Sequence, residues 1–345
     1  VTTETIAVIL AALPVPVLLI GPDDKVRAAN DPVTAILGPN LLGNHYITAV
    51  RQPAIIAAIA ETRASGASHA ARFTGRDGAR DTLYRVAVAV AGDDIALTFE
   101  DQTAAEAAGQ MRRDFVANVS HELRTPLTAL LGFIETLKGA ARDDPQARAR
   151  FLGIMANEAN RMTRLVDDLL SLSRVEVDER VRPREHVDLG ALLISVIKGL
   201  EPQAQAVGVT VTLDQDEAGP VVPGDAGQLV QVFTNLVENG IKYGAAGGQV
   251  TVSLRPPATH ARLRGEAVQV IIADTGDGIA AHHIARLTER FYRVDNHRSR
   301  EVGGTGLGLA IVKHIINRHR GRLFIESALD QGTQVSVFLP TSTPS

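Results

Sequence analysis

The chain has no cysteine and no tryptophan, and aromatic residues make up only 4% of it. Without cysteine, disulfides, thiolate catalysis, thiolate metal sites and flavin–thiol adducts are all excluded. With so few aromatics, the cores must be built mainly from Val, Leu, Ile and Ala. No run of 18 or more apolar residues occurs, and the longest early stretch, Ile6 to Ile20, is broken by Pro14 and Pro16 and lacks a basic flank. It reads as neither a membrane span nor a signal peptide. The chain begins at Val1 rather than Met. A membrane segment upstream is therefore one expectation, with residues 1–345 on the cytoplasmic side of an inner membrane. A strong charge of one sign is also missing: Lys plus Arg total 35 and Asp plus Glu 39, for a net charge of −4. That balance offers no global argument for a nucleic-acid partner, and none is expected.

What is present points to several domains. A chain of 345 residues has room for two or three. Residues 1–103 read as a small α/β module. VPVLLI (Val15–Ile20) is a candidate strand, GPDDK a turn and VRAAN a second strand. Helical or loop material is expected up to about residue 66, and Val86, Val88, Val90 and then Ile95, Leu97, Phe99 recur at period two, as in half-buried antiparallel strands. Residues 104–178 read as a helical hairpin broken at GAARDDP (Gly139–Pro145), with Met155, Ala159, Met162, Val166 and Leu169 along one seam. Two helices cannot cover each other's apolar stripes, so the hairpin is expected to dimerise into a four-helix bundle. The plainer alternative is that neighbouring domains cover the stripe. Residues 187–345 read as one mixed α/β domain, with helices expected at 188–202, 225–243, 281–290 and 306–319 and strands at 207–213, 249–254, 267–273, 322–327 and 333–339. RPPATHARLRG is expected as an exposed loop between two strands.

The first helix of the hairpin carries RRDFVANVSHELRTPLTALLGFIETL. At about 100° per residue, Phe115, Val119, Leu123, Leu127, Leu130 and Ile134 fall on the face opposite His121 and form the expected buried stripe. His121 then points to solvent, with Thr125 within about 40° of it. A neutral imidazole is a competent nucleophile near pH 7. Glu122 can remove the ring proton or fix the tautomer, and Arg124 can help hold a phosphate. Pro126 lacks an N–H and is expected to bend the helix. Taken alone, this segment fits an ordinary surface histidine better than a functional one.

Four further segments suggest a nucleotide site. In QLVQVFTNLVENGIKYG, Asn235, Asn239 and Lys242 share a helical face at i, i+4 and i+7. A carboxamide oxygen suits a Mg²⁺ ion already held by phosphates, and a lysine neutralises phosphate charge. In IIADTGDGI, Asp274 ends a β-type run as an acceptor for an adenine amino group, and Gly276 and Gly278 allow a tight turn; a simple Asp-Gly turn is the alternative. ERFYRVD (Glu289–Asp295), followed by NHRSREVGG, suits an aromatic anchor and a lid, with Arg293 in reach of phosphates. In GGTGLGLAIVKHI, Gly304, Thr305, Gly306, Leu307 and Gly308 lead into a helix whose free N–H groups favour phosphate. The spacing matches neither a phosphate-binding P-loop nor a dinucleotide fingerprint.

Together, FVANVSHELRTPL, NLVENGIKY, DTGDG, RFYRVD and GGTGLGLAIVK resemble, in order, the motifs of a bacterial two-component sensor histidine kinase of the phosphate-regulon sensor type. The resemblance covers about residues 111–340. It implies a dimerisation and phosphotransfer hairpin and a Bergerat-type ATP-binding sandwich. His121 would accept the γ-phosphoryl group of ATP, Glu122 would be the base, and Thr125 would orient water in a reverse phosphatase reaction. Asn239 would ligate Mg²⁺, with Asn235 helping to position Mg²⁺ or phosphate. Lys242 and Arg293 would contact phosphate, Tyr243 would pack beside adenine, and Asp274 would read its amino group. The phosphoryl group would pass to an aspartate on a separate response regulator receiver domain. Related hydrolysing ATPases carry a glutamate where Asn235 stands. One departure from the pattern is Gly240, where alanine is usual. Residues 1–103 resemble a PAS sensory domain. The rival readings are a hydrolysing ATPase or chaperone, whose turnover would not need His121, and a silent scaffold that only dimerises.

Overall fold

The computed structural model describes residues 3–78, 80–178, 181–215, 219–244, 247–259, 263, 265–294 and 304–341. The expected lid segment NHRSREV and Asp295 lie outside these residues. Contacts divide the chain into two units, Val1–Ala117 and Asn118–Ser345.

In the first unit, helix α1 (Thr3–Ala11) precedes strands β1 (Val17–Ile20) and β2 (Val26–Ala29). Helices α2 (Asp31–Leu37), α3 (Tyr46–Ala49) and α4 (Pro53–Ser65) follow, then strands β3 (His69–Asp77), β4 (Arg80–Ala91) and β5 (Asp94–Asp101). The strands form one antiparallel sheet in the order β2-β1-β5-β4-β3. All four β1 residues are buried. Leu18 and Ile20 join one core with Val33, Ile55, Ile59, Val86, Leu97 and Phe99, while Val17 and Leu19 join a second with Leu10 of α1. A strand covered on both faces needs a continuous apolar run, and VLLI supplies it. Val86 and Val88 are buried as their period requires, but Val90, next to the Gly92 turn, is 45% exposed.

Helix α5 (Thr103–Lys138) and helix α6 (Pro145–Asp178) form the hairpin. Asp144 starts α6 by accepting from the Gln146 and Ala147 N–H groups, both at 3.0 Å. Phe133 and Phe151 pack across the two helices at 5.4 Å. Helix α5 runs unbroken through Pro126, which cannot donate to the Glu122 carbonyl. The expected stripe is only partly covered. Leu123 and Leu130 are half-buried, but Leu127 and Ile134 are exposed, as are Leu131, Leu152, Val166 and Leu170. A two-helix hairpin has no third layer to place over these side chains.

The rest of the second unit is a mixed sheet with helices on one face. Its elements are β6 (Glu185–Asp188), α7 (Leu189–Val207), β7 (Thr210–Gln215), β8 (Val221–Gly224), α8 (Ala226–Tyr243), β9 (Gln249–Thr259), β10 (Glu266–Asp274), α9 (Ala281–Ile284), α10 (Gly308–Arg318), β11 (Arg322–Ser327) and β12 (Thr333–Pro340). The sheet order is β11-β12-β10-β9-β7, with only the β7–β9 pair parallel, and β6 and β8 form a separate ribbon.

Three expectations are corrected here. Helix 188–202 runs on through Pro202 and ends at Gly208, whose φ of +73° stops it. Helix 281–290 is a single turn, because Phe291 takes φ +63° and donates its N–H to the Gly306 carbonyl at 2.8 Å. A tertiary bond therefore overrides the local helical tendency. The first part of RPPATHARLRG, through Thr259, belongs to β9. Pro256 and Pro257 sit at a register shift against β10, beyond the reach of β7, where a missing N–H is tolerated.

Candidate active site

Helix α8 starts at Asp225, whose side chain accepts from the Gln228 N–H at 3.1 Å. Its apolar face, with Leu229, Phe233, Leu236 and Val237 fully or almost fully buried, packs on the sheet. The opposite face turns Asn235, Asn239, Lys242 and Tyr243 into a cavity of about 430 Å³. Across from them, Asp274 ends β10. Its Oδ1 accepts from the Gly276 N–H at 2.9 Å and the Thr333 N–H at 3.2 Å. Burial pushes the Asp274 carboxyl above its usual range, and these two bonds oppose that shift.

The glycine turns close the cavity through backbone approach. Gly278 has φ +70°, and a Cβ there would lie 1.8 Å from the Ala328 carbonyl oxygen. Gly306 has φ +73° and lies against Phe291, which keeps α10 from starting before Gly308. Gly278, Arg293, Gly304, Thr305, Gly306 and Gly308 all line the cavity. Gly276 and Leu307 are not among its lining residues. Gly276 is pressed against the Tyr243 carbonyl, where a Cβ would come within 2.2 Å, and the Leu307 side chain is fully buried in the core. At Gly240 an added methyl would meet the Val250 methyl groups at 3.0 and 3.1 Å, so glycine there fits a tight helix–sheet contact.

Lys242 is ion-paired to Glu238 at 2.9 Å, one turn back on α8. Glu238 also lines the cavity, as do Arg164, Asp167 and Asp168 from α6 of the hairpin. Sequence reasoning misses these four. Glu238 is within reach of a helical wheel, three residues after Asn235, but α6 gives no local sign that it faces a nucleotide-sized cavity.

On α5, His121 is exposed, as expected, and Thr125 Oγ1 donates to the His121 carbonyl at 3.2 Å. Glu122 turns across the hairpin instead. Its Oε2 accepts from Arg161 Nη2 at 2.8 Å and lies 3.8 Å from Arg293 Nη2. Arg161 is held in place by Glu158 at 3.0 Å. Arg293 therefore borders both the cavity and the residue after His121. His121 itself is not among the cavity's lining residues.

The cavity suits a nucleotide. Its volume is that of a small-ligand site. Carboxamides and a lysine face a glycine turn at a helix N-terminus, which is the donor set for phosphates and a hard cation. A helical hairpin with an exposed histidine, joined to a Bergerat-type fold, defines the class as an ATP-dependent phosphoryl-transfer module. Comparison with known proteins agrees. The His Kinase A (phospho-acceptor) domain family matches residues 111–177. The family of histidine kinase-, DNA gyrase B- and HSP90-like ATPases matches residues 224–343. The phosphate regulon sensor protein PhoR of Pseudomonas aeruginosa is 41% identical over 234 residues, covering 68% of this chain and 51% of that protein. The sensor protein kinase WalK of Staphylococcus aureus is 36% identical over 240 residues, covering 70% of this chain and 56% of that protein. This chain thus spans about half the length of these two relatives. Among solved structures, the Acinetobacter baumannii histidine kinase AdeS aligns with TM-score 0.50 and 25% identity, over 65% of this chain and 98% of that one. The histidine kinase ThkA, solved in complex with the response regulator TrrA, shares the fold with TM-score 0.54 and 21% identity, over 97% of this chain and 98% of that one. The chain carries the catalytic region of a bacterial sensor histidine kinase, an ATP-dependent enzyme class, and that region is related to the PhoR and WalK kinases. Among the described residues, no helix is long and apolar enough to cross a membrane.

Proposed function

We propose that this protein autophosphorylates His121 from Mg-ATP and passes the phosphoryl group to an aspartate of a separate response regulator. The observation that carries this reading is the pairing, in one unit, of an exposed His121 followed by Glu122 with a cavity lined by Asn235, Asn239 and the glycine turn. A lone-pair nitrogen of His121 forms the bond to phosphorus as the bond to the ADP oxygen breaks, and Glu122 takes the proton from the other ring nitrogen. Asp274 has Oδ2 left for the adenine amino group, and Tyr243 packs beside the ring. Thr305 and the N–H groups at the start of α10 receive the phosphates, with Lys242 and Arg293 adding positive charge. A Mg²⁺ ion, held by Asn239 with help from Asn235, would offset charge on the transferring group.

Three domains are proposed: a PAS-like sensory module at 1–103, a dimerisation and phosphotransfer hairpin at 104–178, and the ATP-binding domain at 187–345. The start of α5 at Thr103 and of β6 at Glu185 supports these bounds. The five-stranded antiparallel sheet with helices α2 to α4 supports the PAS reading. Homodimerisation is supported by the exposed leucines of the hairpin. A separate regulator is supported by the ThkA complex, and a cytoplasmic setting by the use of ATP. Thr125-assisted dephosphorylation of the regulator is the reverse activity we assign to the same site. Phosphate supply is the first signal to test, given the similarity to PhoR. Incubation with γ-labelled ATP should give an acid-labile, alkali-stable label in the native protein. His121→Ala should bind ATP normally and take up none. Full labelling of His121→Ala would end this reading.

A further inference from the structure

Helix α6 of the hairpin does more than pair with α5. Asp168 Oδ2 accepts from Thr305 Oγ1 at 2.6 Å, which ties the hairpin to the glycine turn ahead of α10. Three residues on, Ser171 Oγ donates to Gln231 Oε1 of α8 at 2.8 Å, a second link on the same side of the helix. Leu165, Leu172 and Val175 are buried around these links. The Asp168 carboxylate therefore sits in the wall of the nucleotide cavity. Lys242 and Arg164 attract it there, while Glu238 repels it. Burial pushes the Asp168 carboxyl above its usual range, so its charge is poorly solvated.

A threonine hydroxyl has one proton to give. The positive field at the start of α10 favours an anion. Asp168 already supplies one, and a triphosphate in the same turn would meet a like charge at short range. We propose that Asp168 is an intramolecular competitor of the nucleotide phosphates. Docking of α6 and loading of the cavity then oppose each other, and nucleotide binding releases the ATP-binding domain to reach His121. This rests on the cavity being the ATP site. The coupling is reciprocal, so whatever factor docking removes from nucleotide affinity, the nucleotide removes from docking.

Two measurements on the full chain test this. The first is titration with a non-hydrolysable ATP analogue and Mg²⁺. Asp168→Asn keeps the size and the acceptor but drops the charge, and it should bind the analogue at least ~5-fold more tightly than the native protein. The second uses the absence of native cysteine. Ser171→Cys with Gln231→Cys, in the Asp168 background, should be joined rapidly by a short thiol-specific bismaleimide without nucleotide, because the two side chains meet at 2.8 Å in the native protein, and several-fold more slowly with the Mg-bound analogue. The cysteine pair keeps the proposal falsifiable even if Asp168→Asn fails to fold. Equal or weaker affinity in Asp168→Asn, or a cross-linking rate indifferent to nucleotide, would overturn the competitor role while leaving the ATP site standing. No binding of the analogue by the native chain would overturn both.

Discussion

Glu122 and Arg161, 39 positions apart, meet across the hairpin at 2.8 Å, so the carboxylate beside His121 is held by the opposite helix. The pair is mostly shielded, with side-chain exposures of 21% and 12%. A carboxylate held this way keeps a fixed direction but loses freedom to follow the imidazole. Arg293 of the ATP-binding domain approaches the same oxygen at 3.8 Å, which makes Glu122 a meeting point of the hairpin and the catalytic domain.

Glu122→Gln separates chemistry from packing. The amide still accepts from Arg161, so the unfolding midpoint should barely move. Loss of the base should slow His121 labelling by ~10²-fold. Arg161→Ala should instead lower stability by about 1–2 kcal/mol, less than for a fully buried pair because both groups retain some solvent. Labelling rates and denaturant unfolding of the two variants check both claims. A Glu122→Gln rate close to native would remove Glu122 as the base.

His319 provides a pH signature for the ATP-binding domain. The ring is fully buried; Nε2 accepts from the Asp225 N–H at 3.0 Å, and Nδ1 donates to the Ile315 carbonyl at 2.8 Å. Burial lowers its pKa; the Ile315 bond and Asp225 oppose the shift, and Arg318 and Arg182 add to it. The unfolded chain therefore binds the proton first. Stability is complete above the unfolded value near 6.5 and falls as pH drops below it, by up to about 1.4 kcal/mol per pH unit. Asp168 and Asp274, both raised by burial, act with the opposite sign from the ordinary carboxylate range upward. The difference between native protein and His319→Gln isolates the histidine. Denaturant midpoints between pH 7.5 and 5.5, a range on the order of that window, should converge towards acid. Parallel curves would rule the ring out.

How far a sequence carries depends on whether a feature is local. The wet face of His121 follows from helical periodicity, and Asn235, Asn239 and Lys242 share a cavity because i, i+4 and i+7 always share a face. The contacts that join the hairpin to the glycine turn are not local. Thr305 and Asp168 are 137 positions apart, and nothing in DDLLSL marks one aspartate as facing the cavity. The small β6–β8 ribbon is not legible because its strands are four residues long and Pro223 interrupts the pattern. The stripe on α5 is legible as apolar, but coverage of Leu127 and Ile134 is a property of assembly, which one chain does not supply.

That uncovered face predicts the oligomer. Leu131 and Leu152 are 56% and 53% exposed. Burying a leucine is worth roughly 1.5–3 kcal/mol. Replacing both with lysine should therefore weaken a dimer by at least ~100-fold. Sedimentation equilibrium should find the native chain dimeric and Leu131→Lys/Leu152→Lys monomeric, with ATP-analogue affinity intact. A native monomer at micromolar concentration would leave the face to some other partner.

Substitution at Thr125 tests the proposed dephosphorylation of the regulator apart from the forward reaction. Its hydroxyl donates to the His121 carbonyl one turn back, at 3.2 Å, and it is exposed on the same wet face. To hold a water against a phosphoaspartate, the hydroxyl has only to rotate away from that carbonyl. Losing an exposed back-bonded hydroxyl should change stability by no more than about 0.5 kcal/mol. The forward reaction needs the ring of His121 and the base, not Thr125. Thr125→Ala should therefore label at His121 within about twofold of native, while regulator dephosphorylation falls at least ~10-fold. Thr125→Ser, which keeps the hydroxyl, should restore it. If Thr125→Ala dephosphorylates the regulator at the native rate, the water is held elsewhere, and the reverse reaction uses a group other than the one that follows His121 by a single turn.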